Sequence, residues 1–332
     1  MAPAARAATT WRRNLNGPSA APLPNRNGVG PGCVVLPTGP WQRIIDFLVE
    51  RFRTLSRDEI EARMQRGEIV DDSGNPVLPS RAYAPHLKLH YYRTVDVEPR
   101  IPFEEVVLFQ DDHLVVVDKP HFLPVTPSGS YVQETLLVRL INKLGIKTLA
   151  PMHRLDRETA GVMIFTVQPD LRGCYQELFA HHKVTKQYEA IAPFRPELNF
   201  PITRHSRLVN GEPFMRMREA LGNELGPPNA YTKIELLEVL QCNTLARYRL
   251  NPTSGKKHQL RVHMAALGIP IVNDMLYPSH KNAVRSEVPV YNNPLQLLAH
   301  TIAFLDPVTG TQRQFTTGFA LNIPSRVNVT TE

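Results

Sequence analysis

From Glu105 onward the chain is a succession of short apolar runs: EVVLF, LVVVD, GVMIFTV, KQYEAIA, KIELLEVL, TLARYRL, LLAHTIAFL and QRQFTT. Each has the length of a strand, and several alternate apolar with polar residues. Helical spacing breaks in over VQETLLVRLINKLG, where Leu136, Leu137, Leu140, Ile141 and Leu144 share a side, over Asp170 to His182, and over HQLRVHMAALG, closed by Gly268. Strands and helices mingle without regular βαβ alternation. That pattern points to an α+β chain with a mostly antiparallel sheet rather than a doubly wound parallel one. DPVTGT reads as the turn joining the last two runs, and 195–228 reads as irregular loop punctuated by Gly and Pro.

The front of the chain differs. Residues 1–40 are rich in Ala, Pro, Gly and Arg, and no acid precedes Asp46. Such a segment is expected to be an extended arm, because it has too little to bury. A transit peptide is the competing reading, but prolines interrupt any amphipathic helix. Over 41–97 the pattern predicts two helices leading into a small sheet. WQRIIDFLVERF sets Ile44, Leu48 and Phe52 four apart, with Ile45 and Val49 beside them. Ser56, with Glu59 three residues on, has the form of a capping box, and Gly67 that of a C-cap. EIVDDSGNPVLP reads as strand, turn and strand, and KLHYYR as another strand. EPRIPF marks the edge of a larger region over 98–330.

The net charge of +7, from 38 basic and 31 acidic residues, fits a nucleic-acid partner. No run approaches the roughly 18 apolar residues of a membrane helix, and no apolar signal segment opens the chain. Three cysteines, Cys33, Cys174 and Cys242, lie far apart, which fits neither a disulfide framework nor a zinc ribbon and suits the cytosol. His258 and His263 are five apart, about 140° around a helix, so they do not face one ion. No metal is expected. Neither GxSxG nor GxxxxGKS is present.

One stretch stands apart. MHRLDRETAG, Met152 to Gly161, sets Asp156 between Arg154 and Arg157 and then enters a strand. Taken singly, such an Asp is most often a solvated or structural ion pair. A carboxylate held among guanidinium groups stays ionised, however. It is a poor general acid and a suitable nucleophile or charge stabiliser. Basic neighbours would also draw in phosphates.

HRLDRETAG resembles the HRLDRxTSG signature of the RluA-type pseudouridine synthases. The family's other landmarks occur in the same order. DDHLVVVDKPHFLPVTPSG resembles its opening strand pair and lysine–proline turn, VTKQYEAI the tyrosine segment, and TSGKKHQLRVHMAALGIPIVNDMLYP the TGRxHQIRxHxxxxGxPIxGDxxY segment. The resemblance spans roughly Glu105 to Phe319. It implies the pseudouridine-synthase fold and makes Asp156 the catalytic aspartate. Tyr188 becomes the tyrosine that stacks on the base and a candidate for the proton transfer, and Arg261 the partner of the catalytic carboxylate. Arg154 fills the gap left by a flipped nucleotide. His153, Arg157, Lys119, Lys186, Lys256 and His258, in the same segments, complete the set expected to meet RNA or base.

The implied reaction detaches uracil from its sugar, turns it and rejoins it through ring carbon five. It involves no redox change and spends no phosphate, so no cofactor is expected. An ionised Asp either attacks the base or assists its loss from the sugar. The base must be unstacked to reach it, at a cost of a few kcal/mol. Phe122 stands where the family has glycine, Ala160 replaces serine, Lys256 replaces arginine and Asn273 replaces the glycine before Asp274. These departures bear on subfamily and substrate. Many members also carry a small RNA-binding domain like that of ribosomal protein S-four. Residues 41–97 resemble it, with Arg57, Arg63 and Arg66 on the second helix and Arg63 and Arg66, three apart on one face, as candidate phosphate contacts. The sequence thus predicts a cytoplasmic, monomeric enzyme of ribosomal or transfer RNA. The rivals are an inactive RNA-binding or assembly factor of the same fold, and a metal-dependent nuclease or deaminase, which the histidine spacing disfavours.

Overall fold

The computed structural model describes residues 22–93, 98–212, 215–224, 226–240, 243–277 and 291–322. The expected arm before residue 22, and Cys242, lie outside the described residues. The chain divides into two units, 1–94 and 95–332.

In the first unit, strands β1 (Gly32–Val35), β2 (Ile69–Asp71) and β3 (Lys88–Tyr91) form an antiparallel sheet in the order β1-β3-β2. β1 lies inside the segment read as an extended arm, because Cys33 and Val34 find register partners in His90 and Leu89. Helices α1 (Ile44–Arg51) and α2 (Arg57–Gln65) supply Ile44, Ile45, Phe47, Leu48, Ile60 and Met64 to a core shared with Leu36, Ile69, Val77 and Leu89. Ser56 caps α2 by accepting the Glu59 N–H at 3.2 Å, worth about 1 kcal/mol. Glu59 does not complete the box, since its carboxylate accepts from Arg63. The turn at Ser73–Gly74–Asn75 forms because Asp71 Oδ1 accepts the N–H groups of Ser73 and Asn75. Its second arm is only a bridge, Val70 to Pro76, not a strand.

The second unit is built on a ten-stranded sheet. Its strands are β4 (Val106–Gln110), β5 (Leu114–Lys119), β6 (Ala150–Pro151), β7 (Ala160–Thr166), β8 (Thr185–Pro193), β9 (Ile202–Ser206), β12 (Ala230–Val239), β13 (Leu245–Pro252), β14 (Leu297–Leu305) and β15 (Gln312–Thr316). β10 (Leu208–Asn210) and β11 (Met217–Glu219) form a separate hairpin. The main path runs β4-β5-β7-β14-β8-β13-β12-β9, with β15 on β14 and β6 on β7. All pairs are antiparallel except β14 with β7. The class read from the sequence is therefore the class observed. The stretch 195–228 is not irregular loop throughout: it carries β9, β10 and β11, whose short polar runs (ITRHS, LVN, MRE) hide the strand period.

Helices α3 (Leu136–Leu144) and α4 (Arg172–Ala180) cover opposite faces of this sheet. Val115, Val117, Met163 and Phe165 pack with Leu136, Leu140 and Ile141 of α3. The intervening Leu114, Val116, Val162 and Ile164 pack with Tyr175 and Leu178 of α4. That explains why LVVVD and GVMIFTV are continuously apolar: both faces of β5 and β7 are covered. Thr135 caps α3 at its start, and Gly145 ends it in the left-handed conformation (φ +73°). A third cluster joins Ala190, Tyr248 and Leu250 to Leu260 and Met264 of α5 (Gln259–Ala266).

Gly161, the last residue of the HRLDRETAG stretch, sits where parallel β7 and β14 meet, with φ +111°. A Cβ there would lie 2.2 Å from the Ala299 carbonyl oxygen and 2.7 Å from its nitrogen. Backbone cannot yield as a side-chain tip does. Gly161→Ala is expected to cost about 3 kcal/mol or more from clash and strain together. A chemical melt with parental stability would contradict this pairing.

Candidate active site

Asp156 lies in the loop between β6 and β7, a loop held open by backbone bonds. Met152 N–H donates to Ile164 O, and Thr159 N–H closes a turn onto Asp156 O at 3.1 Å. The far side of the loop is tied to the end of β5. Lys119 Nζ donates to Arg157 O (3.0 Å), and to Pro120 O and Leu123 O at 2.9 and 2.8 Å. His121 Nδ1 lies 2.6 Å from Glu158 O. Lys119 has no exposed surface. Burial, helped by the Arg157 charge, pulls its ammonium down to about 7 against the charges of Glu158 and Asp156. The expectation that Lys119 meets RNA is therefore corrected: it is a buried strut for the loop.

The carboxylate of Asp156 does not pair with its sequence neighbours. Arg157 instead pairs with Glu158 at 3.1 Å, and Arg154 is exposed. The cation on Asp156 comes from 105 residues away: Arg261 Nη1 donates to Oδ2 at 3.3 Å. Arg261 is 2% exposed, not a solvated helix charge. Its helix is buried on nearly every side, from Gln259 through Met264. Polar residues pin it in place. Gln259 Nε2 donates to Tyr231 O and Thr232 Oγ1, Gln259 Oε1 accepts from Ser254 Oγ, and His263 lies within 3.1 Å of Thr232 Oγ1 and Ser206 Oγ. His263 is thus a packing histidine, lowered by burial to about 4.

The stronger partner of Arg261 is Asp274, which the motif reading did not assign. Arg261 Nε and Nη2 each reach an Asp274 oxygen at 2.7 Å. Asp274 Oδ1 also accepts from the Leu276 and Tyr277 N–H groups, and its side chain has no exposed surface. Burial works against the Arg261 charge, but the bonds to Asp274 and the charges of Asp274, Asp156 and Glu158 outweigh it and hold the guanidinium above its usual range. Asp274 thus aims the fork, leaving Nη1 for Asp156 and, at 3.9 Å, for Glu158. Burial opposes the Glu158 charge too, yet Arg157 and Arg261 hold its carboxyl below the usual range.

Tyr188 stands on β8 between Leu250 of β13 and Ala299 of β14. Burial, and then the nearby Asp156 charge, push its phenol well above the usual range, so it is protonated at neutral pH. Lys186, two residues earlier, donates to Ser254 O at 2.8 Å and is lowered by burial to about 8. His153 is half-buried beside Lys186 and Tyr188. Its ring stacks on Phe179 (centroids 5.1 Å apart), its Nε2 accepts from Ile164 N–H, and burial with the Lys186 charge lowers it to about 3. Lys256 is exposed just ahead of α5, and buried His258 has its Nε2 3.8 Å from Asp156 Oδ1.

A partly exposed carboxylate, a buried cation aimed at it and a protonated phenol close by suit covalent or electrostatic work on a neutral ring. The sequence model of the RNA pseudouridylate synthase family matches residues 113–266, which hold Asp156, Tyr188 and Arg261. The dual-specificity RNA pseudouridine synthase RluA of Haemophilus influenzae is 32% identical over 218 residues, 65% of this chain and 94% of the relative. Ribosomal large subunit pseudouridine synthase D of Zymomonas mobilis is 28% identical over 82% of this chain and 89% of its own. The solved human RNA pseudouridylate synthase domain containing 1 shares the fold, with a TM-score of 0.53 at 22% identity over 67% of this chain and 86% of that one. The chain belongs to the RluA-type family of RNA pseudouridine synthases. Among the described residues no helix is long and apolar enough to cross a membrane.

Proposed function

We propose that the chain isomerises uridine to pseudouridine in structured ribosomal or transfer RNA, with Asp156 as the nucleophile on a flipped-out base. The observation that carries this is the Arg261 fork, which spends two nitrogens on buried Asp274 and one on half-exposed Asp156. An oriented, permanently paired carboxylate is a nucleophile's setting rather than a general acid's. In this reading Arg154, exposed on the same loop, fills the vacated stack, and Lys256 and Arg157 meet phosphates; the exposure of all three supports this. The ribosomal large subunit named for the Zymomonas relative supports ribosomal RNA among the substrates. The free Cys33 and Cys174 among the described residues support a reducing compartment such as the cytoplasm, and the enzyme is proposed to act as a monomer.

In this reading Tyr188 stacks on the base and, being protonated, donates before it can accept. Tyr188→Phe should keep the stacking face and lose the hydroxyl. The expected result is unchanged RNA affinity with turnover lower by about 100-fold or more. Parental turnover would remove the hydroxyl from the chemistry.

The first unit is the proposed RNA-binding module. The candidates Arg63 and Arg66 and the neighbouring Arg57 are already engaged: Arg57 with Asp46, Arg63 with Glu59 and Arg66 with Glu68, each at 2.7 Å. Arg57 and Arg66 remain substantially exposed and able to reach phosphate, whereas the Arg63 side chain is only 15% exposed.

The reaction replaces the C5–H bond of uridine by a C–C bond, so it releases that hydrogen to water. Ribosomal and transfer RNA transcripts carrying tritium at uridine C5 test the proposal. Release on incubation with the chain is expected, and none from either class would refute it.

A further inference from the structure

His258 has no role in the mechanism so far, yet its surroundings are specific. It occupies the N-cap of α5 with φ +54°, a region that residues with side chains rarely adopt. Strain of that kind persists where surrounding contacts hold it and often marks a working site. The contacts here run on both sides of the ring. Nδ1 lies 2.9 Å from the Tyr277 hydroxyl, and the two rings meet edge to face at 81°. Nε2 points to Asp156 Oδ1.

The Tyr277 hydroxyl accepts the N–H of Met217 at 2.8 Å. It still has its own proton to place, and Nδ1 is an acceptor within reach. A neutral imidazole that accepts at Nδ1 carries its proton on Nε2. Burial keeps the ring below its usual pKa in spite of Asp156, so the neutral form is the resting one. The charged groups that bear on it are Asp156, Arg261, Lys257 and Asp274. At 3.8 Å the Nε2–H is beyond hydrogen-bond length, so it acts as a dipole directed at Oδ1. Arg261 meanwhile holds Oδ2. Each carboxylate oxygen thus faces its own donor, and both donors stand on the first turn of α5.

We infer that His258 is a positioning residue for Asp156, set in its Nε2–H tautomer by Tyr277, and that this pair ties the carboxylate's orientation to the β10–β11 hairpin through Met217. The inference rests on Asp156 being the nucleophile. Arg261 alone leaves the carboxylate free to turn about one contact. The Nε2–H dipole directed at Oδ1 disfavours that turn and leaves the outward lone pairs for the base.

Single-turnover rates and RNA affinities, measured on the C5-tritiated transcripts, test this with three variants of the full chain. His258→Leu keeps bulk but no donor, and should lower the rate about 10- to 100-fold, with RNA affinity within about twofold of the parent. His258→Gln restores an N–H near the Nε2 position and should recover most of that loss. Tyr277→Phe keeps the ring but frees the tautomer, and should lower the rate by a smaller factor. It carries the test if His258→Leu does not fold. A parental rate in Tyr277→Phe and His258→Leu would overturn the inference. So would a loss confined to RNA affinity, or a His258→Gln no better than His258→Leu. Absence of product from the parent, or turnover by Asp156→Asn, would instead remove the nucleophile reading, and the inference with it.

Discussion

Asp156→Asn is expected to abolish product formation, by at least about 10⁴-fold, the scale on which enzymes lose rate when a covalent nucleophile is removed. The amide has the shape of the carboxylate but no charge with which to attack. RNA affinity should stay within about twofold, because removing one negative charge does not weaken phosphate contacts. Stability should change by less than about 1 kcal/mol. The Arg261–Asp156 contact is 3.3 Å long and its carboxylate is 28% exposed, so it is a weak contributor to the fold. Turnover, filter binding and a chemical melt on one preparation check all three. Retained turnover would show that the carboxylate is structural.

Arg261→Ala is expected to do the opposite to the fold. It strips the cation from Asp274, whose side chain has no exposed surface and which takes two 2.7 Å bonds from that guanidinium. Leaving such a carboxylate unpaired costs about 3–5 kcal/mol, against a total stability of about 5–15 kcal/mol for a domain. Activity should disappear as well. Adding Asp274→Asn to Arg261→Ala separates the effects. The neutral amide can still accept from the Leu276 and Tyr277 N–H groups, so part of the stability should return while the rate does not. A double variant that regained the rate would show that Arg261 serves only the fold. An Arg261→Ala chain as stable as the parent would show that the buried clamp contributes nothing.

The pairing of Asp156 with Arg261 is legible because each sits in a motif of the resembled family, and that contact is observed. Spacing alone carries no such partner: by itself Asp156 reads as an acid between two arginines. Proximity along a chain that turns at Thr159 does not become proximity of side chains. Asp274 was within reach of the sequence as an acid in a matched segment, but its burial depends on the path of the chain after α5. Lys119 reads as an RNA contact for the same reason: a basic residue in a motif gives no sign of its depth. The departures from the family pattern now have a backbone meaning. Phe122 and Asn273, which replace glycine, both hold positive φ, +67° and +63°. Asn tolerates that region well, whereas a bulky aromatic rarely enters it. Phe122 is kept there among Phe103 and Tyr291, with ring centroids 5.9 and 5.3 Å away. The alternating runs gave away most strands, since period two survives burial of one face, whereas the short polar strands β9 to β11 show no such period.

Pseudouridine mapping across the RNA of cells that carry the gene, lack it, or carry only its Asp156→Asn allele puts the central claim to the most direct test. At least one ribosomal or transfer RNA site should vanish on deletion, return with the parental gene and stay absent with the Asp156→Asn allele. Persistence of every site without the gene, or return of the lost site with that allele, would contradict the account.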